Sequence, residues 1–180
     1  MIPELGHFAL ILAALVALIL GTLPLLGAHQ NRLAWVAVAR PAATVMALLI
    51  TFSFACLVQA FVTNDFSVVY VAQHSNSLLP IQYRVAAVWG GHEGSLLLWM
   101  LFLSWWAFSV AMLSRQLPDT MVARVLGTLG LVAFGFMLFI LITSNPFDRL
   151  LPAAAEGRDL NPLLQDPGLV IHPPMLYMGY

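Results

Sequence analysis

Charge is scarce in this chain, and one charged residue type is missing altogether. Only 8% of its 180 residues are charged, and there is no lysine, so every fixed positive charge is an arginine. A soluble domain carries about 25% charged residues, so a soluble fold is excluded for a chain that is 61% hydrophobic. The net charge of −1 provides no basic surface, and we therefore expect no nucleic-acid partner.

Cysteine is nearly absent as well. Cys56 is the single cysteine, and it lies inside an apolar run with no second cysteine to pair with. A small buried apolar side chain and a redox-active thiol are both conceivable, and the apolar surroundings favour the first. Disulfide content therefore gives no indication of the cellular compartment.

Long apolar runs are what the chain has in abundance. A helix needs about 20 apolar residues to cross a bilayer, because unpaired backbone groups are not tolerated in lipid. An all-α, polytopic integral membrane protein is predicted, with two long loops over residues 63–95 and 144–170. The four complete transmembrane helices are expected at 8–26, 42–62, 96–113 and 122–143, with the start of a fifth at about 171.

The arginines indicate how these helices are oriented. Arg32 and Arg40 lie in the short loop after the first span, and Arg115 and Arg124 lie in or beside the short loop after the third. Loops rich in arginine stay in the cytoplasm. We therefore expect the N-terminus and both long loops to face the periplasm, where loops longer than a connection requires can carry function.

The first long loop ends in a glycine-rich turn before the third span. An extended conformation is predicted where the loop starts, over the β-branched and aromatic residues 66–72. The candidate functional segment in the turn consists of Trp89, Gly90, Gly91, His92 and Glu93. A membrane-surface turn with Ser95 as helix N-cap explains it without chemistry, and a catalytic or cofactor role is the alternative. A phosphate loop is excluded because the required Lys or Thr does not follow.

Tryptophans cluster in the third span. Trp105 and Trp106 fall in its middle rather than at its ends, where interfacial tryptophans gather. Packing between helices explains them, and an aromatic wall for a planar ligand is the alternative.

The second long loop ends in an apolar run that contains His172. Pro173 and Pro174 suit the first turn of a helix, so we expect a fifth helix to begin there, with His172 just before it or in its first turn. An imidazole in such a place can bind iron or relay protons, and an interfacial histidine bonded to backbone or water is the alternative. A helix cannot stop inside a bilayer, so we expect the chain to be part of a longer protein.

Two blocks give the chain a specific likeness: HSNSLLPIQYRVAAVWGGHEGSLLLW, residues 74–99, and DLNPLLQDPGLVIHPPMLYMGY, residues 159–180. With the opening MIPELGHFAL, they resemble the N-terminal quarter of the CcmF family, the large membrane subunits of the bacterial cytochrome c haem lyase. The related NrfE type shares both blocks. This resemblance covers the whole chain in layout and implies a multi-pass protein of the bacterial cell inner membrane.

The resemblance further implies a function in cytochrome c maturation. Members of the family act with CcmH and CcmI, receive haem from the haem chaperone CcmE, and join it to the CxxCH cysteines of apocytochrome c. They also hold haem b between two histidines, of which the first matches His172 as an axial ligand of the haem iron. The second ligand lies beyond residue 180 in the family, as does the tryptophan-rich segment for the delivered haem. We therefore expect this chain alone to be inactive and to hold no haem.

Two other classes of function compete with a haem lyase subunit. A membrane b-type cytochrome or quinone-reactive electron-transfer subunit would place paired histidines on facing helices, and the four complete predicted spans contain no histidine. A transporter half would have broken helices and ionisable residues near the midplane. The resemblance, rather than residue chemistry, decides among these three.

Overall fold

The computed structural model describes residues 1–179, and helices dominate it. Four of the helices in this range are long and apolar enough to cross a membrane. Residues 1–179 form no strand, although Val68 and Arg149 make an isolated antiparallel bridge. The predicted all-α, polytopic architecture is confirmed. The helices are α1 Ile2–Gln30, α2 Leu33–Val36, α3 Ala39–Val62, α4 Val69–His74, α5 Ile81–Ala87, α6 His92–Leu113, α7 Asp119–Thr143 and α8 Pro167–Gly179, with a 3-10 helix at Pro162–Gln165.

The membrane-crossing helices are longer than the apolar runs that predict them. α1 has 29 residues and continues past Pro24, which lies inside the helix. The second span joins α2 to α3 over Leu33–Val62. Hydropathy marks only the stretch that suits lipid, whereas helical hydrogen bonding continues into the more polar sequence at either end.

The prediction of an extended segment over residues 66–72 is wrong for most of its length. Only its first part pairs with the second long loop, where the Val69 N–H donates to Asp148 O at 2.9 Å. From Val69 the chain turns into α4, which buries Tyr70, Val71 and Ala72. β-Propensity depends on context, and here the packing of these side chains favours a helix.

The expected start of the fifth helix is also wrong. α8 begins at Pro167, so Pro173 and Pro174 lie inside it and His172 is its sixth residue. The Asp166 carboxylate caps the helix by accepting the Gly168 N–H at 2.8 Å. An aspartate N-cap followed by proline at the first helical position is a strong helix start, and it outweighs the later prolines.

Close contacts divide the chain into two compact units. The first contains Met1–Phe8, Phe52–Trp99 and the segment from Ile140 onward, and the second contains Ala9–Thr51 and Met100–Phe139. In the second unit, α1 and α7 approach closely because a Cβ at Gly130 would lie only 2.8 Å from Gly21 N. Small residues at such crossings allow helix backbones to pack tightly in a membrane.

The first unit holds both long loops and ties them to each other. The Glu156 carboxylate accepts the Ser77 N–H at 3.0 Å and the Ser77 O–H at 2.6 Å, and these bonds lower the pKa of Glu156. Arg149 donates to Glu4 Oε1 at 2.8 Å from its Nε, and its Nη1 lies 3.3 Å from Asp65 Oδ2. The two loops therefore form one supported surface that can position side chains.

Candidate functional site

Tyr70, on α4, organises the glycine-rich turn of the first long loop. Its hydroxyl donates to Val88 O at 3.0 Å and accepts the Gly91 N–H at 3.0 Å. The side chain is buried, and this burial raises the pKa of Tyr70 above its usual range. The phenol therefore stays protonated, as it must to donate and accept at once.

Two glycines of the turn are needed for close approach. A Cβ at Gly91 would lie 2.5 Å from His74 Nε2, and one at Gly94 would lie 1.7 Å from Val88 O. Gly94 thus faces a backbone carbonyl, whereas Gly91 faces the side chains of His74 and Tyr70. This geometry favours the structural interpretation of Gly91, and the same interpretation of Gly90 stays a prediction.

His92 and Glu93 form the first turn of α6, because the helix starts at His92 rather than after Ser95. The expectation that Ser95 is the N-cap is therefore wrong, and its hydroxyl instead donates to Trp89 O at 2.8 Å. His92 is exposed, with its Nδ1 3.1 Å from Ser144 Oγ. The glycines before it let α6 begin earlier than hydropathy indicates.

Trp89 connects this turn to α8. Its indole N–H donates to Val170 O at 3.0 Å. In a regular helix that carbonyl would accept the N–H of residue 174, but Pro174 has none. The indole therefore satisfies the carbonyl that Pro174 leaves without its helical partner. A second contact follows about two turns later on α8, where the rings of Trp99 and Tyr177 stack with centroids 6.0 Å apart.

His172 lies on the opposite side of α8 from this anchor. Two helical positions separate it from Val170, a rotation of about 200°, and its side chain is exposed. Met175 and Leu176 follow it by three and four positions and are 57% and 40% exposed, and Gly168 precedes it by four. This open face, His172 with Gly168, Met175 and Leu176, presents one imidazole among apolar and small residues.

The mid-span tryptophans occupy the second unit. Trp105 donates its indole N–H to Thr51 Oγ1 at 3.1 Å and meets Phe108 edge to face, with ring centroids 5.4 Å apart. These contacts favour the helix-packing interpretation for Trp105. Trp106 is 50% exposed and lines a shallow apolar groove of about 440 Å³, so the aromatic-wall alternative stays open there.

Sequence reasoning missed Tyr70, Gly94 and the pairing of Trp89 with α8. Tyr70 lies in a run that resembles a strand, so no local pattern indicates its role. Asp166-Pro167 does carry a helix-start signal. A helix that starts there contains Pro173 and Pro174 in its interior, and these two prolines imply two backbone carbonyls without a helical hydrogen bond.

Comparisons with known proteins agree with this architecture. The profile of the family described as "Cytochrome C assembly protein" matches residues 89–180, beginning at the tryptophan that anchors α8. The "Cytochrome c-type biogenesis protein CcmF" of Pseudomonas aeruginosa is 59% identical over 181 residues, which cover 100% of this chain and 28% of the relative. The CcmF of Escherichia coli is 55% identical over 100% of this chain and 28% of its own length. The NrfE of Haemophilus influenzae is 48% identical with the same coverage.

A solved structure titled "Cytochrome c Heme Lyase CcmF" has a similar fold. Its TM-score is 0.82 at 22% identity, and the match covers 99% of this chain and 28% of that one. At this identity the similarity concerns the fold. The chain thus spans 28% of the length of the curated relatives from P. aeruginosa and E. coli.

Proposed function

The chain belongs to the cytochrome c assembly protein family, and on this premise we propose that it is the N-terminal part of a haem lyase subunit in cytochrome c maturation. The observation that carries the proposal is the open face of α8. It displays the exposed imidazole of His172 among Gly168, Met175 and Leu176. The indole of Trp89 donates a hydrogen bond to the opposite side of the same helix.

That open face suits one side of a haem. The porphyrin supplies four nitrogens to the iron, so the protein needs to add only an axial ligand, and a neutral imidazole is a good one. The porphyrin is a flat apolar disc, and the exposed side chains of Met175 and Leu176 offer it an apolar surface beside His172. We propose that His172 is an axial ligand of haem b and that the second ligand lies outside residues 1–180.

Family membership supports a proposal for the finer roles. We propose that this part of the protein acts with CcmH and CcmI, and that the whole protein receives haem from the haem chaperone CcmE and passes it to apocytochrome c on the side of the membrane where the two long loops lie. Such traffic requires both loops on the periplasmic side of a bacterial inner membrane. The ties from Glu156 to Ser77 and from Arg149 to Asp65 support this role, because they hold the loops as one surface.

A chimera tests the function. Residues 1–180 of this chain replace the aligned 28% of the P. aeruginosa relative, in a strain that lacks that relative. The expected result is restored covalent haem in c-type cytochromes, measured by haem staining of denaturing gels. A chimera that accumulates in the membrane at the normal level and yields no covalent haem would contradict the proposal.

Orientation gives a separate prediction. The arginines at positions 32, 40, 115 and 124 should retain the two short loops in the cytoplasm. Alkaline phosphatase, which folds only in the periplasm, should be inactive when fused after Asp119 and active when fused after Glu156. The opposite pattern would reverse the topology and remove the long loops from the periplasm.

Trp89→Phe should loosen α8 while leaving an aromatic ring in place. The variant removes the indole N–H and with it the part-buried hydrogen bond to Val170 O, which contributes about 0.5–1.5 kcal/mol. In the chimera we expect amide hydrogen exchange over residues 167–179 to become about threefold to tenfold faster, since 1.4 kcal/mol corresponds to a factor of ten.

Trp106→Phe is the matched control. Trp106 lies on α6, as Trp99 does, but seven residues further along that helix, and its ring lines an open groove. It should leave exchange over residues 167–179 unchanged. Equal exchange in both variants would mean that the Trp89 hydrogen bond does not hold α8.

A further inference from the structure

A cavity in the second unit lies where α2, α3 and α7 meet. Its volume is about 380 Å³, and its lining includes the apolar side chains of Val36, Pro41 and Val122. The charged residues in its lining are Arg40 and Asp119. The cavity therefore combines an apolar floor with one cation and one anion.

The cation in this cavity is fixed. Arg40 donates to Ser114 O at 3.1 Å and to Ser114 Oγ at 3.3 Å, and a further bond reaches Ala111 O. These groups end α6, so the guanidinium is held by helix-terminal acceptors and its side chain is 26% exposed. Asp119 lies 3.4 Å from Arg40 Nη2, but its own side chain is 74% exposed. The carboxylate can therefore adjust to a bound group while the guanidinium stays in position.

The cavity lies at the ends of membrane-crossing helices. Asp119 opens the span Asp119–Thr143, and Arg40 lies in the span Leu33–Val62 close to its start. Helix ends of this kind reach the level of the lipid headgroups. Trp35 on α2 has the guanidinium of Arg32 4.6 Å from its ring centroid, and tryptophan is enriched at that level of the membrane. Phospholipid headgroups are thus the most abundant groups at the opening of this cavity.

We propose that this cavity binds the headgroup of an aminophospholipid such as phosphatidylethanolamine. The lipid phosphate pairs with Arg40, the primary ammonium donates to Asp119, and the glycerol region lies over Val36, Pro41 and Val122. A purely anionic headgroup would meet the Asp119 carboxylate without a compensating cation. A choline headgroup has three methyl groups on its nitrogen and therefore has no N–H to donate to a carboxylate.

Lipid binding to the purified chimera tests the proposal. After delipidation, phosphatidylethanolamine, phosphatidylcholine and phosphatidylglycerol with identical acyl chains are titrated separately, and bound lipid is counted by native mass spectrometry. We expect phosphatidylethanolamine to bind about fivefold more tightly than either of the other two, the upper range for an ion pair with a carboxylate as exposed as Asp119. Equal affinity for the three lipids would overturn the proposal.

Asp119→Asn removes the carboxylate charge but keeps the size of the side chain and the contacts of Arg40 with α6. It should reduce the affinity for phosphatidylethanolamine to that for phosphatidylcholine. Asp148→Asn, in the second long loop, is the control and should keep the preference. An unchanged preference in Asp119→Asn would refute the site, and displacement of the lipid by millimolar soluble phosphoethanolamine would show that the diacyl lipid is not its occupant.

Discussion

His172→Ala in the chimera should lose the haem that copurifies with the protein, by at least about tenfold, and covalent haem attachment should fail with it. His172 is the one nitrogen ligand on the open face of α8, whose other members are glycine, methionine and leucine. Without the imidazole, the iron loses the axial bond that bis-histidine ligation would supply, and the thioether of Met175 is a weaker replacement for it. Absorption spectra of the purified, chemically reduced chimera measure the loss of haem.

Two further measurements identify which haem His172 holds. Added imidazole should partly restore the low-spin spectrum by filling the vacant axial position, whereas His29→Ala, on α1 in the second unit, should leave the spectrum normal. A His172→Ala protein with normal copurifying haem but no covalent attachment would contradict a resident haem b and assign the imidazole to haem in transit. Normal haem together with normal attachment would remove His172 from haem handling altogether.

The part of the fold that sequence predicts is the part that lipid determines. Burying backbone groups in a bilayer permits only long apolar helices here, so the four spans follow from composition alone. The ends of those helices do not, because they depend on local caps and contacts. Ser95 illustrates this: it has the chemistry of an N-cap, yet the glycines before it allow α6 to begin at His92.

The candidate site was predictable in its residues but not in its arrangement. His172 and Trp89 both stand out in the sequence. Nothing local indicates that Trp89 packs against one side of α8 while His172 lies on the opposite side. That relation depends on Pro174, which frees the Val170 carbonyl, and on the Trp89 indole, which lies 81 residues earlier in the chain and satisfies it. A hydrogen bond between positions so far apart becomes visible only when the two long loops are folded against each other.

Gly94 is the position of the glycine-rich turn that is most sensitive to an added side chain. A Cβ there would lie 1.7 Å from Val88 O and 2.7 Å from Tyr70 Oη. The carbonyl cannot rotate away without losing the bond that it accepts from the Tyr70 hydroxyl, and that hydroxyl also holds the Gly91 N–H. Overpacking a well-ordered contact costs about 1–3 kcal/mol and sometimes more, and here it disrupts a polar network in addition.

Gly94→Ala should therefore lower the amount of folded chimera in the membrane at least about tenfold, measured as protein that survives heating and limited proteolysis. Gly91→Ala should cost less, because the atoms nearest to its Cβ, 2.5 and 2.8 Å away, belong to the side chains of His74 and Tyr70 rather than to the backbone. Gly135→Ala, on α7, is the control: nothing lies within 4 Å of its Cβ, and alanine is favoured over glycine in a helix by about 0.5–1 kcal/mol. Gly94→Ala protein as stable as Gly135→Ala would show that α6 can shift to accommodate a methyl group, and that the close contact of Gly94 with Val88 is not what positions the turn.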